Sequence, residues 1–368
     1  MTLLPSLSIR FPSLKGLIQG GILAGMLGIS LLIVGCSHLT YYAQAIGGQL
    51  EIFRRAHPIT EWLTSSELSP PIRHTLQYVL KVRTFASQTL HLPVQDSYSF
   101  YADLGRPFVV WNVFAAPPFS LTLKSWCFLV VGCLQYRGYF SQEAAQHFAE
   151  ELRQQGDEVY VAGIKAYSTL GWFADPLLNT MLTWSPTSLA GVLFHELAHQ
   201  QLYIPDDTAF NESFATAVEH EGIKRWLTDQ GNATDILMYQ KNYSRYQEFV
   251  ALITRFHTKL AQLYQQSLPD TQRSLQKKAY FHALKEEYAQ LKQKWNGQSD
   301  YDAWFAQDLN NPKLLSVMTY QNYVPAFQAL LRQQKGDIRS FYHAAAQLGQ
   351  LPLEQRRTIL QTLSHQSS

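Results

Sequence analysis

The sequence predicts an α+β fold that is mainly α: a small sheet, one helix carrying paired histidines, and a C-terminal helical lobe. Three observations predict it. Between Ser97 and Phe140, and again between Val159 and Trp172, β-branched and aromatic residues run together and are broken by Gly and Pro. From Ser185 to Leu227 two helical patterns follow one another, the first holding His195-Glu196-x-x-His199 and the second Asn211-Glu212-Ser213-Phe214-Ala215. From Asp235 onward, Leu, Phe and Tyr recur at helical spacing opposite faces of Gln and Lys.

The chain has 368 residues, 46% of them hydrophobic, enough for a sizeable core in one large or two ordinary domains. Its 30 basic and 28 acidic residues leave a formal charge of +2, so no basic footprint calls for nucleic acid, which is excluded as a partner. The expected divisions are a leader over 1–35, an N-terminal helical segment over 36–95, a catalytic core over 96–230 and a helical lobe over 231–368.

The leader carries Arg10 and Lys15, then an uncharged run from Gly16 to Gly35. Basic residues, an apolar stretch and a small residue before the cut are the marks of an export signal. The run is also long enough to span a bilayer, so an uncleaved anchor is the alternative. Ile33-Val34-Gly35-Cys36 resembles a bacterial lipobox, which implies cleavage before Cys36 and lipid on its sulfur. Ser37 rather than Asp follows, which by analogy implies the outer membrane, on the periplasmic side. The rest of the chain is then expected outside the cytoplasm, attached to the membrane through Cys36.

Residues 40–55 read as a helix ended by His57-Pro58, and Pro71 to Leu90 as a second. Tyr98-x-Phe100, the run from Phe108 to Phe114 and the run from Cys127 to Val131 read as strands. Cys127 and Cys133 are either bridged or two buried thiols. On one straight strand they would stand about 20 Å apart, so a bridge needs a turn between them. Ser141 reads as the N-cap of a helix over Gln142 to Gln155, with Gly156 at its end. Val159 to Trp172 reads as a strand, either an edge along which an extended peptide could add through backbone hydrogen bonds or an ordinary member of the sheet. Helices are expected at Asp235 to Gln266, Asp270 to Trp295, Tyr301 to Gln307, Asn322 to Gln333, Asp337 to Leu348 and Pro352 to Leu363.

His195 and His199 stand one helical turn apart on one face, where both imidazoles can reach one Zn²⁺ at about 2.0–2.1 Å. Ser185 and Pro186 supply the start of their helix. With histidine counted as neutral, Glu196 is the only charged side chain from Pro186 to Leu202, the group expected as general base: it takes the proton of the attacking water and passes it to the leaving amine. A catalytic zinc needs a third protein ligand and an open fourth position. The extended motif with a third histidine is absent, because Leu202 and Pro205 stand at its Gly and His positions. Glu212, on a second helix reached through Pro205-Asp206-Asp207, is the favoured ligand. Asp206, Asp207, Glu219 and His220 are the runners-up, and Glu219 is better cast as orienting a histidine. Asn211 either bonds near the ligands or serves a local turn. An oxyanion donor is expected among Tyr136, Arg137, Tyr139, Tyr167, Tyr320 and Tyr323, with Tyr139 and Tyr167 ranked first as catalytic residues because they lie in the strand region beside the histidine helix.

Asn211-Glu212-Ser213-Phe214-Ala215 resembles the N-E-x-F-A stretch that carries the glutamate ligand of gluzincin aminopeptidases, with His195-Glu196-x-x-His199 as their zinc helix. The gap from His199 to Glu212 is shorter than theirs. Tyr136 to Phe140, Ala166 to Pro176 and the zinc segment together resemble a bacterial putative-aminopeptidase family of lipoproteins. This resemblance implies a zincin-like core, a Zn²⁺ cofactor on His195, His199 and Glu212, and peptide substrates. The G-x-M-E-N stretch with which gluzincin aminopeptidases bind the substrate amine is missing.

Overall fold

A computed structural model of the chain describes residues 40–128, 132–169, 173–231, 233–318 and 323–365. The leader, Cys36, Tyr320 and the stretch from Leu170 to Trp172 lie outside the described residues. The chain divides into two compact units, residues 1–51 and 52–368. Residues 40–51 belong to a helix, α1, that runs from 40 to 55. All the later elements lie in the larger unit. No helix of the described residues is long and apolar enough to cross a membrane.

The fold is α+β and mainly helical, as the sequence predicts, and the described residues form three small sheets where one was expected. Strand β1 (Ala56–Pro58) follows α1 and leads into helices α2 (Ile59–Thr64) and α3 (Pro70–Gln88). It pairs antiparallel with β2 (Phe100–Ala102), which pairs parallel with β8 (Leu177–Leu178). A second sheet is antiparallel, with β3 (Val110–Ala116) between β6 (Arg137–Tyr139) and β7 (Glu158–Ile164). All of β3 is buried. Helix α4 (Gln142–Gln154) covers the face that bears Tyr139, through Phe148. Helix α10 (Asn311–Met318) covers the other, where its Leu315 meets Phe114, Tyr160 and Ala162. Ser141 caps α4 as expected, its hydroxyl accepting from Ala144 N–H at 3.2 Å.

Two strand expectations change. The run from Cys127 to Val131 is described only at Cys127 and Phe128, since residues 129–131 lie outside the described residues. Trp126–Phe128 (β4) and Gly132–Leu134 (β5) form an antiparallel hairpin that places Cys127 directly opposite Cys133, and the two are disulfide-bonded. The second change is in β7, which stops at Ile164 because Ile164 pairs with Val110, the first residue of β3. Beyond that point residues 165–169 leave the sheet, and Ser168 and Thr169 bond to the buried Asp175. Its carboxylate accepts from Ser168 Oγ at 3.0 Å and from Thr169 N–H and Oγ1. Among the described residues β7 is an edge strand, but Asn310, just before α10, already occupies part of it: its Nδ2 donates to Val159 O at 3.0 Å. Strand alternation turns the peptide groups of Val161 and Gly163 to that same outward side.

One core joins α3 to α5 (Pro186–Gln201), α6 (Thr208–Asp229), α11 (Val324–Gln333), α12 (Ile338–Gly349) and α13 (Leu353–His365). Phe194, Phe210, Phe214, Phe327 and Phe341 fill it, with the rings of Phe214 and Phe341 stacked at 5.6 Å. Each such ring removes roughly 150–250 Å² from water, so this aromatic layer supplies much of the adhesion between α6 and the last three helices. The long α7 (Ala233–Tyr264) and α8 (Asp270–Lys294) build a separate cluster with α9 (Asp302–Ala306) and α10 around Phe249, Phe256, Leu284 and Phe305. Polar side chains tie it to the sheet. Lys277 of α8 donates to Pro118 O at 2.6 Å and pairs with Glu158, which also accepts Asn311 N–H at 3.0 Å.

Candidate metal centre

Helix α5 begins as its sequence dictates, with Ser185 Oγ accepting Ser188 N–H at 3.2 Å and Pro186 in the first turn. Helix α6 packs closely beside it. Two glycines permit the approach: a Cβ on Gly222 would stand 2.6 Å from the Phe194 ring, and one on Gly191 would stand 2.7 Å from Ile223 Cδ1 and 3.0 Å from Glu219 Oε1. The connection between the helices is short. Asn211 closes it from α6, its Oδ1 accepting Ile204 N–H at 2.8 Å and its Nδ2 donating to Ile204 O at 2.7 Å. That pair of bonds explains how so few residues reverse the chain and still bring Glu212 back to the histidines. Asn211 therefore serves the turn, one of the two roles its sequence position allows.

His195, His199 and Glu212 converge and could hold a metal ion, their ligand atoms lying within 4.8 Å of one another. His195 Nε2 stands 3.3 Å and His199 Nε2 3.8 Å from Glu212 Oε2. A tetrahedral zinc with bonds of about 2.0–2.1 Å would separate its ligands by about 3.4 Å, so the residues fit such an ion. The electrostatics divide between the two rings: burial lowers the His195 pKa, but the carboxylates of Glu212 and Glu219 outweigh it and hold that imidazole well above its ordinary range. Burial lowers the His199 pKa to about 4, leaving the neutral imidazole that a metal requires. Burial pushes Glu212 and Glu219 up, but the histidines beside them outweigh it and hold both carboxylates below their ordinary range. Two carboxylates around one imidazole call for a positive charge, and a divalent cation supplies it.

Glu219 Oε2 lies 3.1 Å from His195 Nδ1, which fixes that ring's orientation and leaves Nε2 for a ligand. Among the described residues, the buried His199 Nδ1 has no matching hydrogen-bond partner. Glu196, on the same helix, sits where burial raises its pKa to about 7. The charge of His195 opposes that rise, while Glu212, Asp175 and Glu219 add to it. A carboxyl near neutrality suits proton transfer in either direction. Glu212 and Glu219 keep 14% and 26% of their side chains exposed, so water reaches the cluster.

The other expected residues have contacts of their own. Asp206 accepts Cys133 N–H at 2.8 Å, and Asp207 caps α6. The His220 ring lies 4.4 Å from that of Tyr243. Tyr139 is buried on the α4 face of its sheet, with the Arg137 guanidinium 5.6 Å from its ring. The Tyr167 ring meets Phe140 edge-on at 5.6 Å. Tyr136 packs on Phe114, and Tyr323 N–H donates to Ser213 Oγ at 3.0 Å. Three further residues were not singled out from the sequence. Asp175 and the buried Tyr98 share the electrostatic environment of Glu196. Tyr203 is raised by burial and then by the charges of Glu212 and Asp206. Its place within the short connection was the available signal, since any residue there must lie close to both α5 and α6.

Gly191→Ala tests the Glu219 contact. The new methyl drives Glu219 and Ile223 aside, and the affinity for zinc is expected to fall about 10-fold. Chelator competition measures it; an unchanged affinity would remove Glu219 from the site's design.

A family model described as Putative aminopeptidase matches residues 40–360. No curated protein and no solved structure matches the chain. The matched stretch holds the histidine helix, Glu212 and the helices packed around them up to residue 360 within α13. This chain belongs to the Putative aminopeptidase family.

Proposed function

We propose that the protein is a zinc-dependent peptidase, attached to the outer membrane of a bacterium through lipid on Cys36 and acting on peptides outside the cytoplasm. The observation that carries the enzymatic part is the convergence of His195, His199 and Glu212 beside a carboxyl, Glu196, that burial holds near neutral pKa. Zinc, when bound by these three residues, supplies a Lewis acid that polarises the scissile carbonyl and acidifies water. Glu196 accepts the proton of the attacking water and delivers it to the leaving amine. Glu219 keeps His195 in the tautomer whose Nε2 faces the metal. Outward peptide groups at Val161 and Gly163 offer an extended substrate a short edge to pair with. Tyr139 and Tyr167 are our candidates for the oxyanion donor, and Tyr203 joins them because it shares the field of Glu212.

A non-enzymatic lipoprotein with a structural zinc is the second reading. A structural site needs a fourth protein ligand. The residues that could serve are engaged elsewhere: Asp206 with Cys133, Asp207 with the cap of α6, and His220 with Tyr243. Their engagement weighs against it. The deciding experiment is a panel of peptides with free and blocked N-termini, offered to zinc-loaded protein with and without chelator. Chelator-sensitive cleavage confined to free N-termini supports an aminopeptidase, and cleavage of blocked peptides an endopeptidase. A metal-loaded protein that cleaves none of them fits the scaffold.

A further inference from the structure

The connection from Leu202 to Asp207 decides where Glu212 stands relative to the histidines, and its own backbone bonds hold it weakly. Asp207 N–H reaches Ile204 O only at 3.4 Å, and Asp206 adopts a φ of +64°. The carboxylate of Asp207 divides its two oxygens. Oδ1 accepts Phe210 N–H at 3.1 Å and so caps α6. Oδ2 accepts Arg356 Nε at 2.9 Å and Nη2 at 2.7 Å. Both side chains are buried, at 7% and 6% exposure. The remaining nitrogen of Arg356, Nη1, donates to Gly349 O at 2.7 Å and Leu351 O at 3.2 Å. The guanidinium also lies 5.4 Å from the Phe210 ring. One rigid planar group thus joins the turn between α12 and α13 to the first turn of α6.

We infer that Arg356 is a positioning residue for the metal centre, acting through Asp207 on Glu212; this rests on the proposed metal site. Asp207 and Glu212 belong to one continuous helical start, so a tilt of the first turn moves the ligand carboxylate directly. A metal site tolerates displacements of only about 0.2 Å before its bonds suffer. Without the guanidinium, the Asp207 carboxylate is a buried unpaired charge. The first turn of α6 also loses its tie to the turn between α12 and α13, whether or not the cap on Phe210 survives.

The test measures zinc affinity of the full chain by chelator competition, alongside thermal midpoint. Arg356→Met removes the pairing. The double variant Asp207→Asn with Arg356→Met also removes it, but leaves an Asn that still caps the helix and buries no lone charge, so it is expected to fold. Leu360→Ala, at a site 1% exposed on the same helix, loosens α13 without touching the guanidinium. The expected result is a zinc dissociation constant raised about 10-fold in the double variant and changed less than about twofold in Leu360→Ala. An unchanged constant in the double variant, or an equal rise in Leu360→Ala, overturns the inference. Wild-type protein that binds no zinc overturns the metal site itself and this inference with it.

Discussion

Glu196→Gln is expected to keep its zinc and lose peptide hydrolysis by about 10²–10⁴-fold. Glutamine has the same shape and can still accept a hydrogen bond, but it cannot take a proton at any working pH. The substitution also spares the ligand set, because Glu196 is not among the three residues that converge. Burial already favours the uncharged carboxyl at this position, so a neutral amide introduces no new desolvation cost. The variant should therefore fold at least as well as the wild type. Two measurements check it: zinc stoichiometry, expected unchanged, and kcat on the best peptide of the panel. Activity within a factor of about ten of wild type would remove Glu196 from the role of base, because a positioned base contributes at least about 10²-fold.

Glu212→Gln is expected to weaken zinc binding by more than about 100-fold, beyond the range found when an outer-shell partner is lost. Among the described residues, Glu212 is the carboxylate that faces both imidazole Nε2 atoms. An amide there removes the negative charge while leaving the volume unchanged, so the effect on zinc reports charge and ligation rather than packing. Glu219→Gln supplies the comparison, with an expected loss of about 10–100-fold, since it alters the ring of His195 and not a ligand. Equal losses in the two would mean that the carboxylates contribute only field. No loss in Glu212→Gln would transfer the third position to another residue of the connection.

The histidine pair was legible because the property is local: spacing along one helix places both rings without knowledge of anything distant. That Glu212 converges on the histidines was legible, while the path that brings it there was not. The Asn211 bonds to Ile204 that fold the short connection depend on the exact backbone path, which residue type alone leaves open. The end of β7 was hidden for a different reason. A strand stops where its partner stops, and the start of β3 at Val110 is not written in the sequence around Trp172. Nor was the hairpin of β4 and β5, whose two strands have nearly the same composition as a single continuous one. Helix α10 escaped because residues 311–315 are all buried, so no polar face marks a period. The return of α11, α12 and α13 to the metal helices is a matter of partners, and amphipathic patterns identify faces, not what covers them.

The bond from Cys133 N–H to Asp206 Oδ1 gives the disulfide hairpin a bearing on how the protein is made. Gly132 allows the contact, since a Cβ there would meet Asp206 Oδ1 at 2.5 Å. The hairpin therefore braces the stretch that spaces Glu212 from the histidines, and the bridge braces the hairpin at a cost to the unfolded chain worth about 2 kcal/mol. Cys127 is exposed, so thiol reagents can reach the bond. Protein produced in a reducing cytoplasm should consequently take up less zinc than protein exported and oxidised before loading. Oxidising purified reduced chains should then restore the difference, and a Cys127→Ser, Cys133→Ser chain should gain nothing from the same treatment. For recombinant work the practical order is oxidation first and metal second.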